Sequence, residues 1–121
     1  MKILLADDER EILEIYSAML RGNGHEVICA LDGKEALDLL AEGVFDLLVL
    51  DLFMPNLDGF KTLQTLRRQG QAIPVIVMTG HYPNAVVAER IRGLKVAQVL
   101  RKPVTISELL HAVNQVVSSD S

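Results

Sequence analysis

The sequence predicts an α/β domain built on a doubly wound, five-stranded parallel sheet of order 2-1-3-4-5, covered by five helices. Two observations predict the class and a third predicts the order. Short apolar runs without polar alternation, the pattern of strands buried on both faces, recur along the chain. Each is followed by a segment with helical spacing, and five such alternations call for right-handed crossovers between parallel strands. The first, third and fourth runs are the most uniformly apolar, whereas the second begins with His25-Glu26 and the fifth carries Gln98. That contrast puts strands one, three and four in the centre and two and five at the edges, with a switch point between one and three.

The first strand is 3–6, ended by Asp7-Asp8. From 9 to 21 the spacing turns helical, and Ile12, Ile15, Tyr16, Met19 and Leu20 share an apolar face that Gly22-Asn23-Gly24 brings to an end. The second strand is 27–30. A helix over 34–41 turns Ala36, Leu37 and Leu40 inward, with Gly43 just past its end. The third strand, 45–50, runs into Asp51-Leu52-Phe53-Met54-Pro55-Asn56-Leu57-Asp58-Gly59. Residues 59–68 form the third helix, burying Phe60, Leu63 and Leu66 and closed by Gly70. Pro74 is acceptable because it stands at the start of the fourth strand, 75–78. Thr79-Gly80-His81-Tyr82 is a loop, and Pro83 opens a helix reaching about residue 92. The fifth strand, 96–100, ends at Arg101-Lys102-Pro103. The last helix, 106–117, takes Ser107 or Thr105 as its cap and Leu109, Leu110, Val113, Val116 and Val117 as its apolar content, and 118–121 reads as a frayed tail.

The chain of 121 residues is the size of one domain, spanning 1–121. Half of it is hydrophobic and 23% charged, which excludes disorder and coiled coil. The net charge is −4 and the 12 Lys and Arg are scattered, so there is no basic stripe for direct nucleic-acid binding. Cys29 is the only cysteine, which excludes an internal disulfide and is expected as a small buried thiol in a reducing compartment. The cluster Asp7-Asp8-Glu9 interrupts the N-terminal apolar run too early for a signal peptide, and no run is long enough to span a membrane. The expectation is a soluble, cytoplasmic protein without a membrane partner.

Chemistry concentrates at the strand ends. With the order 2-1-3-4-5, Asp7 and Asp8 end strand one, Asp51 strand three, Thr79 strand four and Lys102 strand five. All lie at the carboxyl edge, where open α/β sheets bind ligands. Each has an ordinary alternative: a helix cap for Asp8, a turn initiator for Asp51, a loop hydroxyl for Thr79, a solvated cation for Lys102. Random placement would scatter them over both ends of the sheet. Three carboxylates in one crevice repel unless a proton or a cation is present, and an oxygen-only set favours Mg²⁺. Such a metal is poised to clamp a phosphoryl group, and Asp51, standing centrally, is the candidate nucleophile, forming an acyl phosphate. Lys102 then neutralises one phosphoryl oxygen and Thr79 hydrogen-bonds another.

The set Asp7-Asp8, Asp51 with Met54-Pro55 and Asp58-Gly59 after it, Thr79, and Lys102-Pro103 resembles the receiver domains of two-component response regulators over essentially the whole chain. The resemblance implies a flavodoxin-like fold and a phosphorylation-dependent switch in a phosphorelay. Asp51 would accept a phosphoryl group from a sensor histidine kinase or a histidine phosphotransfer protein. Asp8, Asp51 and the Phe53 carbonyl would bind Mg²⁺ directly, with Asp7 acting through water. Thr79 and Lys102 would read the phosphoryl group and relay the change to the surface of helix four, strand five and helix five. The domain would assist its own phosphorylation and dephosphorylation without being a conventional turnover enzyme. The Lys102-Pro103 bond is expected to be cis.

Val99 stands where many receivers carry an aromatic that swings inward, so a smaller or differently routed change is expected here. His81, at a position that tunes phosphoryl lifetime in the family, would flank the water entrance with Phe53 or simply face solvent. His25 and His111 are expected as surface residues without partners. A Mg²⁺-dependent phosphohydrolase with an aspartate nucleophile shares much of this logic, but Phe53 stands where it needs a second acid, and no insertion forms a cap. A degenerate receiver used only for docking does not call for the complete set of side chains. The downstream partner is a protein target or an output domain outside this chain, with Val86, Val87, Arg90 and Val99 as the expected docking surface. A stand-alone receiver and a piece of a longer regulator both fit, and the oligomeric state is open.

Overall fold

The computed structural model of the chain describes residues 1–119. In order the elements are β1 (Lys2–Ala6), α1 (Arg10–Gly22), β2 (Glu26–Ala30), α2 (Gly33–Glu42), β3 (Leu47–Asp51), α3 (Gly59–Arg68), β4 (Val75–Thr79), α4 (Asn84–Arg90), β5 (Gln98–Arg101) and α5 (Ile106–Ser119). All strand pairs are parallel and the order is β2-β1-β3-β4-β5, as expected.

Burial explains the order. Every residue of β3 and β4 is buried, whereas β5 alternates between half-buried and exposed and β2 opens with exposed Glu26. A continuous apolar run has no face that tolerates water, so it is covered on both sides. Leu48, Leu50, Val75 and Val77 pack on one side with Ala36, Leu40, Phe60, Leu63 and Leu66 of α2 and α3. Ile3, Leu5, Val49 and Ile76 pack on the other with Leu13, Leu20, Leu109 and Val113 of α1 and α5. Each of these fully buried leucines contributes about 1.5–3 kcal/mol relative to exposure.

The face of α1 differs from expectation. Leu13, Tyr16, Ser17 and Leu20 are buried, while Ile15 is 51% exposed and Met19 37%. Positions 13, 16, 17 and 20 form an i, i+3, i+4, i+7 stripe. The α1 apolar residues cover a wide arc, and Tyr16 selects the inward sector by donating its hydroxyl to the Val104 carbonyl at 2.7 Å.

Boundaries also shift. Asp51 and Thr79 are the last residues of their strands, α4 stops at Arg90, and β5 occupies Gln98–Arg101. Ser118 and Ser119, expected as tail, belong to α5, and the rest of that expected tail lies outside the described residues. Asp8 does not cap α1, whose N-cap position is Glu9 without a side-chain bond, but Thr105 caps α5 by accepting from the Glu108 N–H at 3.1 Å. Asp32 caps α2 through the Glu35 N–H at 2.8 Å and also accepts from Asn56, tying two loops of the site edge together. Val117 is 40% exposed although counted among the α5 apolar residues. Cys29 is only half-buried, and burial raises its thiol pKa. His25 lies 3.3 Å from the N-terminal ammonium and exposed His111 lies 3.1 Å from Gln115, so neither is without a partner.

Candidate functional site

Parallel register brings the strand ends level. Ala6 pairs with Leu50, Asp51 with Met78 and Thr79 with Arg101, so Asp7, Asp51, Thr79 and Lys102 meet at one edge. Asp7, Asp51 and Thr79 are buried, and Asp8 is exposed beside them. Lys102 Nζ stands 3.0 Å from Asp7 Oδ2 and 3.1 Å from Asp51 Oδ2. Its third carboxylate neighbour, Glu9 Oε1 at 3.7 Å, is a site contact that sequence reasoning did not assign, although Glu9 belongs to the acidic run it noted.

The two carboxylate oxygens of Asp51 take different partners. Oδ1 accepts the Phe53 N–H at 3.2 Å, which is the turn-initiating bond, while Oδ2 accepts from Lys102 at 3.1 Å. Gly59 makes the close seating of α3 possible, because a Cβ there would lie 2.4 Å from the Asp51 carbonyl oxygen and 2.5 Å from Leu52 Cα. Asp58 caps the same helix through the Lys61 N–H at 2.9 Å. The Lys102-Pro103 bond is cis.

The electrostatics are strained toward negative charge. Burial, and then the charge of Asp7, push Asp51 up to about 6 against the opposing pull of Lys102 and the Phe53 N–H. Desolvation where the Asp8 carboxylate meets the crevice, followed by Asp7, raises Asp8 as well. Burial alone would depress Lys102, but Asp51 and Asp7 outweigh it and hold the ammonium above the usual lysine range. Carboxylate oxygens of Asp7, Asp8 and Asp51 lie within 4.8 Å of one another. Among the described residues Thr79 Oγ1 is buried and has no hydrogen-bond partner. Around the rim, Phe53 and His81 stack with centroids 4.2 Å apart, placing together the two residues expected to flank the site.

An acidic crevice with a lysine and a buried hydroxyl thus lies at the carboxyl edge of a doubly wound α/β sheet, the edge where such sheets bind ligands. The chain matches the response regulator receiver domain family over residues 3–114, and it belongs to that family. It is therefore a receiver domain of two-component response regulators, not a conventional enzyme. It is 40% identical over 111 residues to the transcriptional regulatory protein TctD of Salmonella typhimurium, covering 90% of this chain and 48% of that protein. It is 41% identical over 112 residues to the response regulator MprA of Mycobacterium avium, covering 91% and 48% respectively. The chain thus spans about half the length of these relatives. Among solved structures it is similar to the Francisella response regulator 1452 receiver domain, with a TM-score of 0.92 and 33% identity, covering 99% of this chain and 98% of that one. It is also similar to the Vibrio cholerae chemotaxis protein CheY4, with a TM-score of 0.86 and 29% identity, covering 95% and 97%. Among the described residues no helix is long and apolar enough to cross a membrane.

Proposed function

We propose that Asp51 is the phosphoryl acceptor of this receiver, that Thr79 and Lys102 read the acquired group, and that Asp7, Asp8, Asp51 and the Phe53 carbonyl hold Mg²⁺. The observation that carries the proposal is the convergence of buried Asp51 with Lys102 at 3.1 Å and the unpartnered Thr79 hydroxyl at one strand edge. An Asp51 carboxylate oxygen attacks the phosphorus, the bond to the donor breaks, and the donor leaves with that electron pair. The product is an acyl phosphate on Asp51. Lys102 is already charged and partly desolvated, so it neutralises a phosphoryl oxygen with little reorganisation. Thr79 donates to another oxygen and so satisfies its own hydroxyl.

The donor set fits Mg²⁺: three carboxylates, all oxygen, within 4.8 Å of one another. When bound, the ion supplies charge neutralisation for the phosphoryl oxygens. The phosphoryl source is a sensor histidine kinase or a histidine phosphotransfer protein, in keeping with response regulator relatives. The receiver side chains assist both phosphorylation and the hydrolysis that ends it, in the cytoplasm. The signal goes to a protein target or an attached output domain through the α4, β5 and α5 surface, where Val86, Arg90 and Val99 are exposed; Val87, expected on that surface, is instead buried in the core beneath α4, because it lies on the face of the helix turned to the sheet.

Incubation with acetyl phosphate and Mg²⁺, followed by intact mass, tests the proposal. A transient phosphoryl adduct on the wild-type chain, absent from Asp51→Asn, is expected. An adduct that persists in Asp51→Asn, or sustained turnover of small phosphate esters, would overturn it.

A further inference from the structure

Resting on that reading of Asp51, we infer that Tyr82 is the positioning residue that joins the two phosphoryl-reading arms and passes their movement to α4. Tyr82 lies three residues after Thr79, with exposed Gly80 between them. Its backbone carbonyl accepts a hydrogen bond from Arg101 Nη1, and Arg101 immediately precedes Lys102. The Lys102 N–H in turn donates to the Thr79 carbonyl at 2.8 Å. Thr79, Tyr82, Arg101 and Lys102 therefore close a ring of covalent and hydrogen-bonded links. A Cβ on Gly80 would lie 3.0 Å from Lys102 Cβ, so the two arms are in near contact inside that ring. Neither arm shifts toward a new phosphoryl oxygen without drawing on the other.

The side chain of Tyr82 provides the exit. Its ring meets Phe60 edge-on at 5.1 Å and Phe53 at 6.3 Å. Phe60 is fully buried at the start of α3, and the guanidinium of Arg90, the last residue of α4, sits 3.9 Å from its ring centroid. Tyr82 is also two residues ahead of the first residue of α4. It is thus linked to both ends of that helix, to the first through the chain and to the last indirectly through Phe60 and Arg90. Val99, by contrast, is aliphatic and 45% exposed on the edge strand, with no ring to carry a rotation. The aromatic path from the site edge to α4 therefore runs from the loop after strand four.

The test compares wild type, Tyr82→Ala, Tyr82→Phe and Arg101→Ala, each with acetyl phosphate and Mg²⁺. Intact mass reads phosphoryl occupancy, and amide hydrogen exchange reads residues 84–90 and 98–101. At equal occupancy, the wild type and Tyr82→Phe are expected to change exchange in α4 severalfold, and Tyr82→Ala and Arg101→Ala to lose most of that change. A wild-type response of α4 in Tyr82→Ala or in Arg101→Ala would overturn the inference. So would loss of the adduct in Tyr82→Ala, which would make the ring part of the acceptor site. Should Tyr82→Ala not fold, exposed Arg101→Ala decides alone. Absence of any adduct on the wild type is the distinct result that removes the proposed function itself, and this inference with it.

Discussion

The rings of Phe53 and His81 stack with centroids 4.2 Å apart, joining the residue two beyond Asp51 to the residue two beyond Thr79. Phe53 is 48% exposed and His81 is exposed, so the pair stands at the rim of the crevice. With Asp51 as the proposed acceptor, a stacked pair there would restrict the approach of water to the acyl phosphate. His81→Ala and Phe53→Ala are each expected to shorten the acyl-phosphate lifetime severalfold, followed by intact mass after removal of the phosphodonor. An unchanged half-life in His81→Ala would make that ring a bystander.

Lys102 separates two buried acids that would otherwise face each other. Lys102→Ala is expected to destabilise the metal-free protein by about 1–3 kcal/mol at pH 7 in urea unfolding. The deficit should shrink as pH falls toward 5. Burial and Asp7 push Asp51 up to about 6 even against the pull of Lys102, and loss of Lys102 raises it further, so in the variant Asp51 takes up a proton on that descent and its repulsion with Asp7 is relieved. A deficit that is constant between pH 7 and 5 would contradict this account.

Mg²⁺ is expected to raise the thermal midpoint of the chain, because the proposed site exists in the folded acid cluster and not in the unfolded chain. At tenfold excess over its dissociation constant the gain is about 1.4 kcal/mol. Chelation should reverse the gain, and Asp8→Asn or Asp51→Asn should abolish it. An equal Mg²⁺ response in those variants would place the ion elsewhere.

Gly59→Ala should act on the site without altering a polar group. The added methyl meets the Asp51 carbonyl oxygen at 2.4 Å and Leu52 Cα at 2.5 Å, and backbone does not yield as a side-chain tip does. The expected cost is roughly 1–3 kcal/mol, with slower phosphorylation because Asp51 is displaced. Gly22→Ala, with nothing within 4 Å of the new methyl, is the control and should be neutral or stabilising. Similar losses in both would disprove the steric account.

Much of the site is legible in the sequence. Asp7, Asp8, Asp51, Thr79 and Lys102 follow apolar runs, and the runs alone imply the strand order that gathers them. Glu9 as a partner of Lys102 was not legible, since an acid in a helix-leading run has no distinguishing pattern. Nor were the Arg101 link to the Tyr82 carbonyl and the Arg90 contact with Phe60, because guanidinium side chains are long and their partners are set by the fold. The pairing of His25 with the N-terminus has the same origin: a parallel neighbour strand brings residue 26 beside residue 2.

The sequence by itself determined the central and edge strands, the end of the sheet that carries the chemistry, and the residues that meet there. Burial on both faces is written residue by residue into the composition of a strand, and parallel crossovers then align the strand ends. Only the tertiary structure decided which sector of α1 turns inward, which carboxylate oxygen of Asp51 serves the turn and which serves Lys102, and how Tyr82 connects to Arg101 and Phe60. Each of those depends on a contact between segments remote in sequence, and geometry chooses among several partners that local pattern leaves equivalent.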